Sequence, residues 1–193
     1  VEEKIGLFKD VNIPIDIISN SIAKYLSDAS TTDGVFAICK ISKPKLWDYS
    51  RCLVLDNIQD PSNFGAIIRS ARAFGFNTIL SVNSVYPYSF KSIRSSMGYV
   101  FDVNLLDVTY ETIQKIKNEK DIKFVCANMS GVTIENFDVK SDNLAIIIGS
   151  EGKGVSETLR NLADYTVSIP MLNQVESLNA SVSASIFMFN LRK

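Results

Sequence analysis

Near the C-terminal end an apolar run, residues 144–148, leads into Gly149, Gly152 and Gly154, with Glu151 and Lys153 among the glycines. A continuous β-branched run ended by glycine reads as a buried parallel strand. Glycines beyond it let the backbone come close to a ligand, although ordinary strand-to-helix turn chemistry uses them too. The order is G-x-x-G-x-G. It is neither the dinucleotide-binding G-x-G-x-x-G nor a phosphate loop ending in Gly-Lys-Ser/Thr. Glu151 would repel a pyrophosphate, so a ligand of little negative charge, or with a positive centre, fits better. The other residues able to do chemistry are Asn63 and Arg69 in a helical stretch, Lys91 and Arg94 three apart on one helix face, and Ser177 and Asn179 around the start of the last helix.

What is missing narrows the chemistry further. The 193 residues contain no histidine, which removes Ser-His-Asp and Cys-His catalysis. With three scattered cysteines this argues against a zinc site, and no metal is expected. Net charge is −1, so the chain is not a generic polyanion binder and any nucleic-acid contact must use a local patch. A hydrophobic fraction of 46% and a charged fraction of 21% are ordinary for a globular protein. No apolar run approaches the ~20 residues that span a membrane, and nothing at the N-terminus reads as a signal peptide. Cys39, Cys52 and Cys126 lie in or beside apolar segments. Core thiols in a reducing, cytoplasmic compartment are expected.

The elements that must position these residues alternate between strand and helix. Strands are expected at 51–56, 78–82, 103–106, 122–127, 144–148 and 165–169, the last stopped by Pro170. A helix follows the capping stretch Asp60-Pro61-Ser62-Asn63 as far as Phe74. Its Ile67, Ile68, Ala71 and Phe74 form a core-facing stripe. Arg69 sits ~200° round from Ile67 and points away from that core. Further helices are expected at 88–97, 110–118, from Val155, and from Leu178 to the end. In the last of these Val182, Ile186 and Phe189 make a core stripe beside small residues. The pattern is α/β with a mainly parallel sheet. Residues 1–43 read as an incomplete piece, with strands at 12–18 and 35–40 around a helix near 21–26. A start at Val1 without Met leads us to expect missing upstream sequence. The Ser-, Pro- and charge-containing stretch after it marks a linker, drawn at 44–50, and 51–193 form the main domain.

Three blocks together resemble the SpoU/TrmH family of RNA ribose 2′-O-methyltransferases, in the SPOUT superfamily. They are residues 55–71 (LDNIQDPSNFGAIIRSA), residues 148–154 (IGSEGKG), and Ile169-Pro170-Met171 through residues 176–181 (ESLNAS). The resemblance runs from about residue 50 to the end. It implies a C-terminal deep trefoil knot, which general topology rules would reject. It also implies S-adenosylmethionine as methyl donor and structured RNA (ribosomal or transfer) as substrate. A homodimer with its active site near the interface is implied as well. Residues 1–43 look like the end of the small α/β RNA-binding domain that often precedes the catalytic domain in this family.

Carried over residue by residue, Arg69 matches the catalytic arginine. A guanidinium with a pKa above ~12 is an awkward base. A role clamping the target phosphate and stabilising developing alkoxide charge is physically better. Asn63 is expected to position Arg69 or the ribose, or to cap its helix. Glu151 is expected to hold Arg69 or Asn63. Ser177 and Asn179 are expected to bind the ribose, hold the cofactor loop, or cap the last helix. Gly149, Ile169, Met171 and Leu178 are the expected cofactor contacts, since adenine needs apolar walls and backbone hydrogen bonds. Lys91 and Arg94, with Arg69, are candidates for the RNA patch. The competing readings are a catalytically silent RNA-binding paralogue and a nucleotide-binding oxidoreductase. The intact residue set argues against the first and the glycine order against the second.

Overall fold

The computed structural model describes residues 6, 8, 12–27, 33–41, 47–172 and 175–192. Two compact units divide the chain, Val1–Lys40 and Ile41–Lys193. In the first, helix α1 (Asn20–Leu26) is opened by the Ser19 side chain, which accepts from the Ile22 N–H. The strands expected at 12–18 and 35–40 do not form: these residues join no ladder. Ile13, Ile15 and Ile17 have strand periodicity but remain exposed. Periodicity without a partner edge does not make a strand. Cys39 is exposed as well, against the expectation of a core thiol. The linker residues 44–46 lie outside the described residues.

The second unit is built on six parallel strands, β1 (Arg51–Asp56), β2 (Thr78–Val82), β3 (Asn104–Asp107), β4 (Lys123–Thr133), β5 (Leu144–Gly149) and β6 (Tyr165–Ser168). Their order in the sheet is β3-β2-β1-β5-β4-β6. Helices α2 (Pro61–Phe74), α3 (Phe90–Ser95), α4 (Tyr110–Lys120), α5 (Glu157–Leu162) and α6 (Ala180–Leu191) complete the unit. Leu53, Leu55, Ile146 and Ile148 pack with Ile67, Ile68 and Ala71 of α2 and with Ala184 and Phe187 of α6. On the opposite face Cys52, Val54, Ala145 and Ile147 pack with Ile113 of α4 and Leu159 of α5. With both faces covered, the interior positions of a central strand favour apolar residues on both sides, which is why the middles of β1 and β5 read as unbroken apolar runs.

The end of β4 and the buried face of α6 differ from expectation for identifiable reasons. Strand β4 continues past Ala127 to Thr133, because β6 supplies partners beyond a bulge, Val132 opposite Val167 and Thr133 opposite Ser168. In α6 the core stripe is Ala180, Ala184, Phe187, Met188 and Leu191. The expected stripe is on the other side, with Val182 and Phe189 exposed. Helix α6 lies along α2, joined by a Ser185–Ser70 hydroxyl bond of 2.8 Å and an edge-on Phe74–Phe189 contact of 5.9 Å. Helix α3 meets α2 at Gly65, where a Cβ would come within 2.5 Å of the Ser92 carbonyl oxygen.

Asp164, just before β6, ties the sheet to α4. Its carboxylate accepts from the Phe124 N–H at 2.7 Å and pairs with Lys117 at 2.9 Å. Burial is the largest single influence on this carboxyl and acts to raise it. The Phe124 N–H and Lys117 together outweigh burial and hold it below the usual carboxylate range. A depressed folded pKa stabilises the fold above the unfolded value, near ~3.9, and that contribution is lost as pH falls through the folded one. We expect Asp164→Asn to be destabilised by about 1 kcal/mol at neutral pH. We also expect it to lose less further stability than the wild type on acidification below about pH 4. Urea midpoints of both proteins across that range check this.

Candidate active site

Strands β1 and β5 are neighbours, with Asp56 opposite Gly149 at their carboxyl ends. From β1 the chain goes to β2 on one side; from β5 it goes to the β6 side. Such a reversal leaves a crevice at the carboxyl edge, where open α/β sheets bind ligands. Both loops that leave this edge carry residues singled out from the sequence.

Helix α2 begins with Asp60 as its cap, accepting from the Ser62 N–H at 2.8 Å. That bond, followed by Lys91 at 3.4 Å, holds the Asp60 carboxyl below its ordinary value. Since Asp60 caps, Asn63 does not, and its side chain is free to reach outward. Asn63 Nδ2 donates to Glu151 Oε1 at 2.9 Å. Asn179 Nδ2 donates to the same oxygen at 2.6 Å and to Asn63 Oδ1 at 3.0 Å. The Ala180 N–H adds a third donor to Glu151 Oε1 at 3.2 Å. One carboxylate oxygen thus gathers segments separated by 88 and 28 residues.

Asn179 also caps α6, its Oδ1 accepting from the Ser181 N–H at 2.9 Å. Of the two caps expected for this helix, Ser177 and Asn179, it is Asn179 that performs the task. Ser177 is exposed, and no hydrogen bond links it to the Asn63–Glu151–Asn179 group. Glu151 holds Asn63 and not Arg69, which is exposed on α2 six residues beyond Asn63, roughly 9 Å along the axis. Arg69 makes no hydrogen bond or ion pair among the described residues. Lys91 and Arg94 are both exposed on α3.

The expected cofactor contacts lie at the end of β5 and on the stretch between β6 and α6. Gly149 ends β5, Ile169 follows β6 and packs against the core, and Leu178 precedes the α6 cap. Met171 is half-buried. The glycine loop is tight. The Gly154 N–H donates to the Ser150 carbonyl at 2.8 Å, and Gly154 has φ +65°, which favours glycine. A Cβ on Gly149 would lie 2.1 Å from the Gly154 carbonyl carbon and 2.2 Å from the Val155 nitrogen, whereas nothing lies within 4 Å of a Cβ on Gly152. We expect Gly149→Ala to lose about 3 kcal/mol or more through overpacking against backbone. Gly152→Ala should stay within about 0.5 kcal/mol of wild type. Thermal melts of the pair check the contrast.

Cysteine chemistry is not available in the core. Burial pushes the Cys52 thiol far above its ordinary value and the Cys126 thiol up to about 11, so both stay protonated. Among the described residues no three His, Cys, Asp or Glu side chains cluster to hold a metal ion. No helix among them is long and apolar enough to cross a membrane.

Residues 50–189 match the SpoU rRNA Methylase family. The chain belongs to this family. Over 193 residues it is 27% identical to the 23S rRNA (guanosine(2553)-2′-O)-methyltransferase RlmP of Bacillus subtilis, covering 99% of this chain and 77% of that one. It is 30% identical to the 23S rRNA (adenosine(1067)-2′-O)-methyltransferase of Streptomyces azureus, over 91% of this chain and 68% of the relative. Among solved structures it resembles the SpoU methyltransferase AviRb of Streptomyces viridochromogenes in complex with AdoMet. That match has a TM-score of 0.68 and 29% identity, over 76% of this chain and 60% of that one. An AdoMet-bound rRNA methyltransferase from Sinorhizobium meliloti matches with TM-score 0.70 and 28% identity, over 73% and 55%. The chain thus spans between about half and three quarters of the length of these SpoU relatives.

The expectations from sequence leave out Asp56, which ends β1 opposite Gly149. Asp56 lies beneath the glycine loop and is fully buried. The signal was present: a carboxylate closes an otherwise apolar strand, Cys-Leu-Val-Leu-Asp, and a buried charge needs partners.

Proposed function

We propose that this protein transfers a methyl group from S-adenosylmethionine to a ribose 2′-hydroxyl in structured RNA, ribosomal or transfer. The observation that carries the reading is the single Glu151 oxygen holding Asn63 and Asn179, which joins all three sequence blocks of the family in one hydrogen-bonded group. The donor set suits the cofactor. Gly149, Ile169, Met171 and Leu178 are uncharged and offer backbone groups and apolar walls. The nearby carboxylate of Glu151 suits a cationic sulfonium better than a phosphate.

When bound, S-adenosylmethionine supplies an electrophilic methyl on sulfur. In the transfer the ribose oxygen–carbon bond forms, the sulfur–carbon bond breaks, and the hydroxyl proton leaves to solvent. The protein must align the two atoms and favour the developing alkoxide. Arg69, exposed and without a hydrogen-bond or ion-pair partner among the described residues, is suited to clamp the target phosphate and stabilise that charge. Asn63 and Asn179, fixed by Glu151, hold the ribose side of the crevice. Lys91 and Arg94 extend the basic surface beyond the site.

The finer architecture belongs to the same reading. Strand β6 ends at the edge of the sheet, yet α6 lies against α2. Asn179, just before α6, is bonded to Glu151 of the glycine loop, and a chain that returns from the edge strand to this loop supports a trefoil knot. The outward Val182 and Phe189 on α6 form an apolar stripe, which supports a two-fold homodimer through that face. A monomer by light scattering at working concentration would remove that part. Residues 1–43 act as the end of an RNA-binding domain, joined at 44–50 to the catalytic domain 51–193, in a cytoplasmic enzyme.

The test is binding and transfer by the full chain. Calorimetry should give a micromolar constant for S-adenosylmethionine, on the order of −8 kcal/mol. Label should enter ribose 2′-oxygens of ribosomal or transfer RNA from cells lacking the gene. Absence of heat and of a thermal shift at millimolar cofactor would overturn the reading. Binding without transfer to either RNA would instead mark a catalytically silent paralogue.

A further inference from the structure

We infer that Asp56 is a positioning residue: a buried anchor that sets the glycine loop, and through it Glu151, at the carboxyl edge of the sheet. Asp56 is 0% exposed, and no cation is bonded to it among the described residues. A carboxylate buried in this way is costly unless hydrogen-bond donors replace water. The Ser156 N–H donates to Oδ2 at 2.6 Å. The Tyr110 hydroxyl donates to Oδ1 at 3.0 Å, and Asn57 Nδ2 donates to the same oxygen at 2.8 Å. The direction of the tyrosine bond is fixed by its neighbours. Asn83 Nδ2 at 3.3 Å and Asn57 Nδ2 at 3.4 Å both donate to the Tyr110 oxygen, so its own proton goes to Asp56. Backbone donors aimed at a carboxylate make strong, short bonds.

The path of the loop explains why the anchor matters. At Glu151 the loop is bonded to Asn63 and Asn179, on the side of α2 and α6. Four residues later Val155 is packed with Cys52, Val54 and Leu159, on the side of α4 and α5. The loop therefore passes over the ends of β1 and β5 from one face of the sheet to the other. Its entry is held in β5 by Gly149 opposite Asp56, and it is closed on itself between Ser150 and Gly154. Its exit is hydrogen-bonded by one side chain among the described residues, Asp56. A closed turn pinned at its exit moves as a body, so a shift at Ser156 is carried to Glu151. Tyr110, from α4, sets the carboxylate and so adds a third element to the support. Such supports fix first-contact groups to within fractions of an ångström.

The effect on catalysis rests on the proposed function, so the test has an arm that does not. In the full chain, Tyr110→Phe removes one donor while keeping the ring, and Asp56→Asn removes the charge. Hydrogen exchange at the Ser156 and Gly154 amides is read by NMR. The cofactor KM, kcat and melting temperature are measured alongside. We expect faster exchange at Ser156 in both variants, with a raised cofactor KM and a lowered kcat, and a larger effect for Asp56→Asn. If Asp56→Asn does not fold, Tyr110→Phe carries the test alone. A lowered melting temperature with exchange at Ser156, KM and kcat all unchanged would reduce Asp56 to a support of the fold and overturn the inference. If the wild type transfers no methyl group, the proposed function fails, and the exchange measurement still decides whether Asp56 anchors the loop.

Discussion

Arg69→Ala is expected to reduce methyl transfer by about 10³-fold or more, the range seen when a preorganised group facing transition-state charge is removed. Cofactor affinity should change by less than about twofold, because a side chain that stabilises only the transition state leaves ground-state binding alone. The geometry supports both halves. Arg69 stands on α2, a different segment from the glycine loop and from the stretches around Ile169 and Leu178. It is exposed and has no hydrogen-bond or ion-pair partner among the described residues, so removing it should change stability by less than about 0.5 kcal/mol. Arg69→Lys keeps the charge but loses the planar fork. It should recover a fraction of the rate, since a bidentate phosphate clamp is not replaced by a point charge. Steady-state kinetics with cofactor titration and a thermal melt separate these outcomes. A large rise in cofactor Kd for Arg69→Ala would show that its role is misassigned.

Which features the sequence revealed follows from where each is specified. Strands β1, β2 and β5 are buried on both faces, so consecutive apolar residues, with few polar ones between, mark them without any knowledge of neighbours. Strand β4 was read short because the residues after Ala127 carry no apolar run. Only the pairing of Val132 and Thr133 with β6 makes them a strand. Helix α6 was read inside out. Its sequence, ASVSASIFMFNL, is small or apolar nearly all round, so helical periodicity does not choose between Val182/Ile186/Phe189 and Ala184/Phe187/Leu191. Contact with α2 makes that choice, and it brings the small Ala180 and Ala184 inward. At the site, the resemblance to the family pointed to Asn63, Glu151 and Asn179, and hydrogen bonds join the three. Local capping chemistry offered the Asp60-Pro61-Ser62-Asn63 turn for α2 and Ser177 or Asn179 for α6, and within those sets Asp60 and Asn179 perform the task. Convergence of three segments on one oxygen has no local signal; it depends on β1 and β5 being adjacent in the sheet.

Glu151→Ala is expected to lower activity by about 10²- to 10³-fold, comparable to the loss of a group that fixes reacting partners. It leaves Asn63 Nδ2, Asn179 Nδ2 and the Ala180 N–H without their shared acceptor. Water reaches the exposed amides, so the stability loss should stay near about 1–2 kcal/mol. Glu151→Gln keeps the length and one acceptor oxygen but loses the charge that strengthens three bonds. It should fall between Glu151→Ala and the wild type in rate and lie close to wild type in stability. The decisive measurement is a double-mutant cycle with Asn179→Ala. That variant alone removes the α6 cap, worth about 1 kcal/mol, and frees Glu151 from its 2.6 Å bond. If Glu151 acts through Asn179 and Asn63, the double variant should be scarcely slower than the worse single one, since residues that work as a unit are strongly non-additive. Rate losses that simply multiply would mean the two residues act separately. The hydrogen-bonded group at the edge of β1 and β5 would then be a fastening of the fold rather than the frame of the reaction.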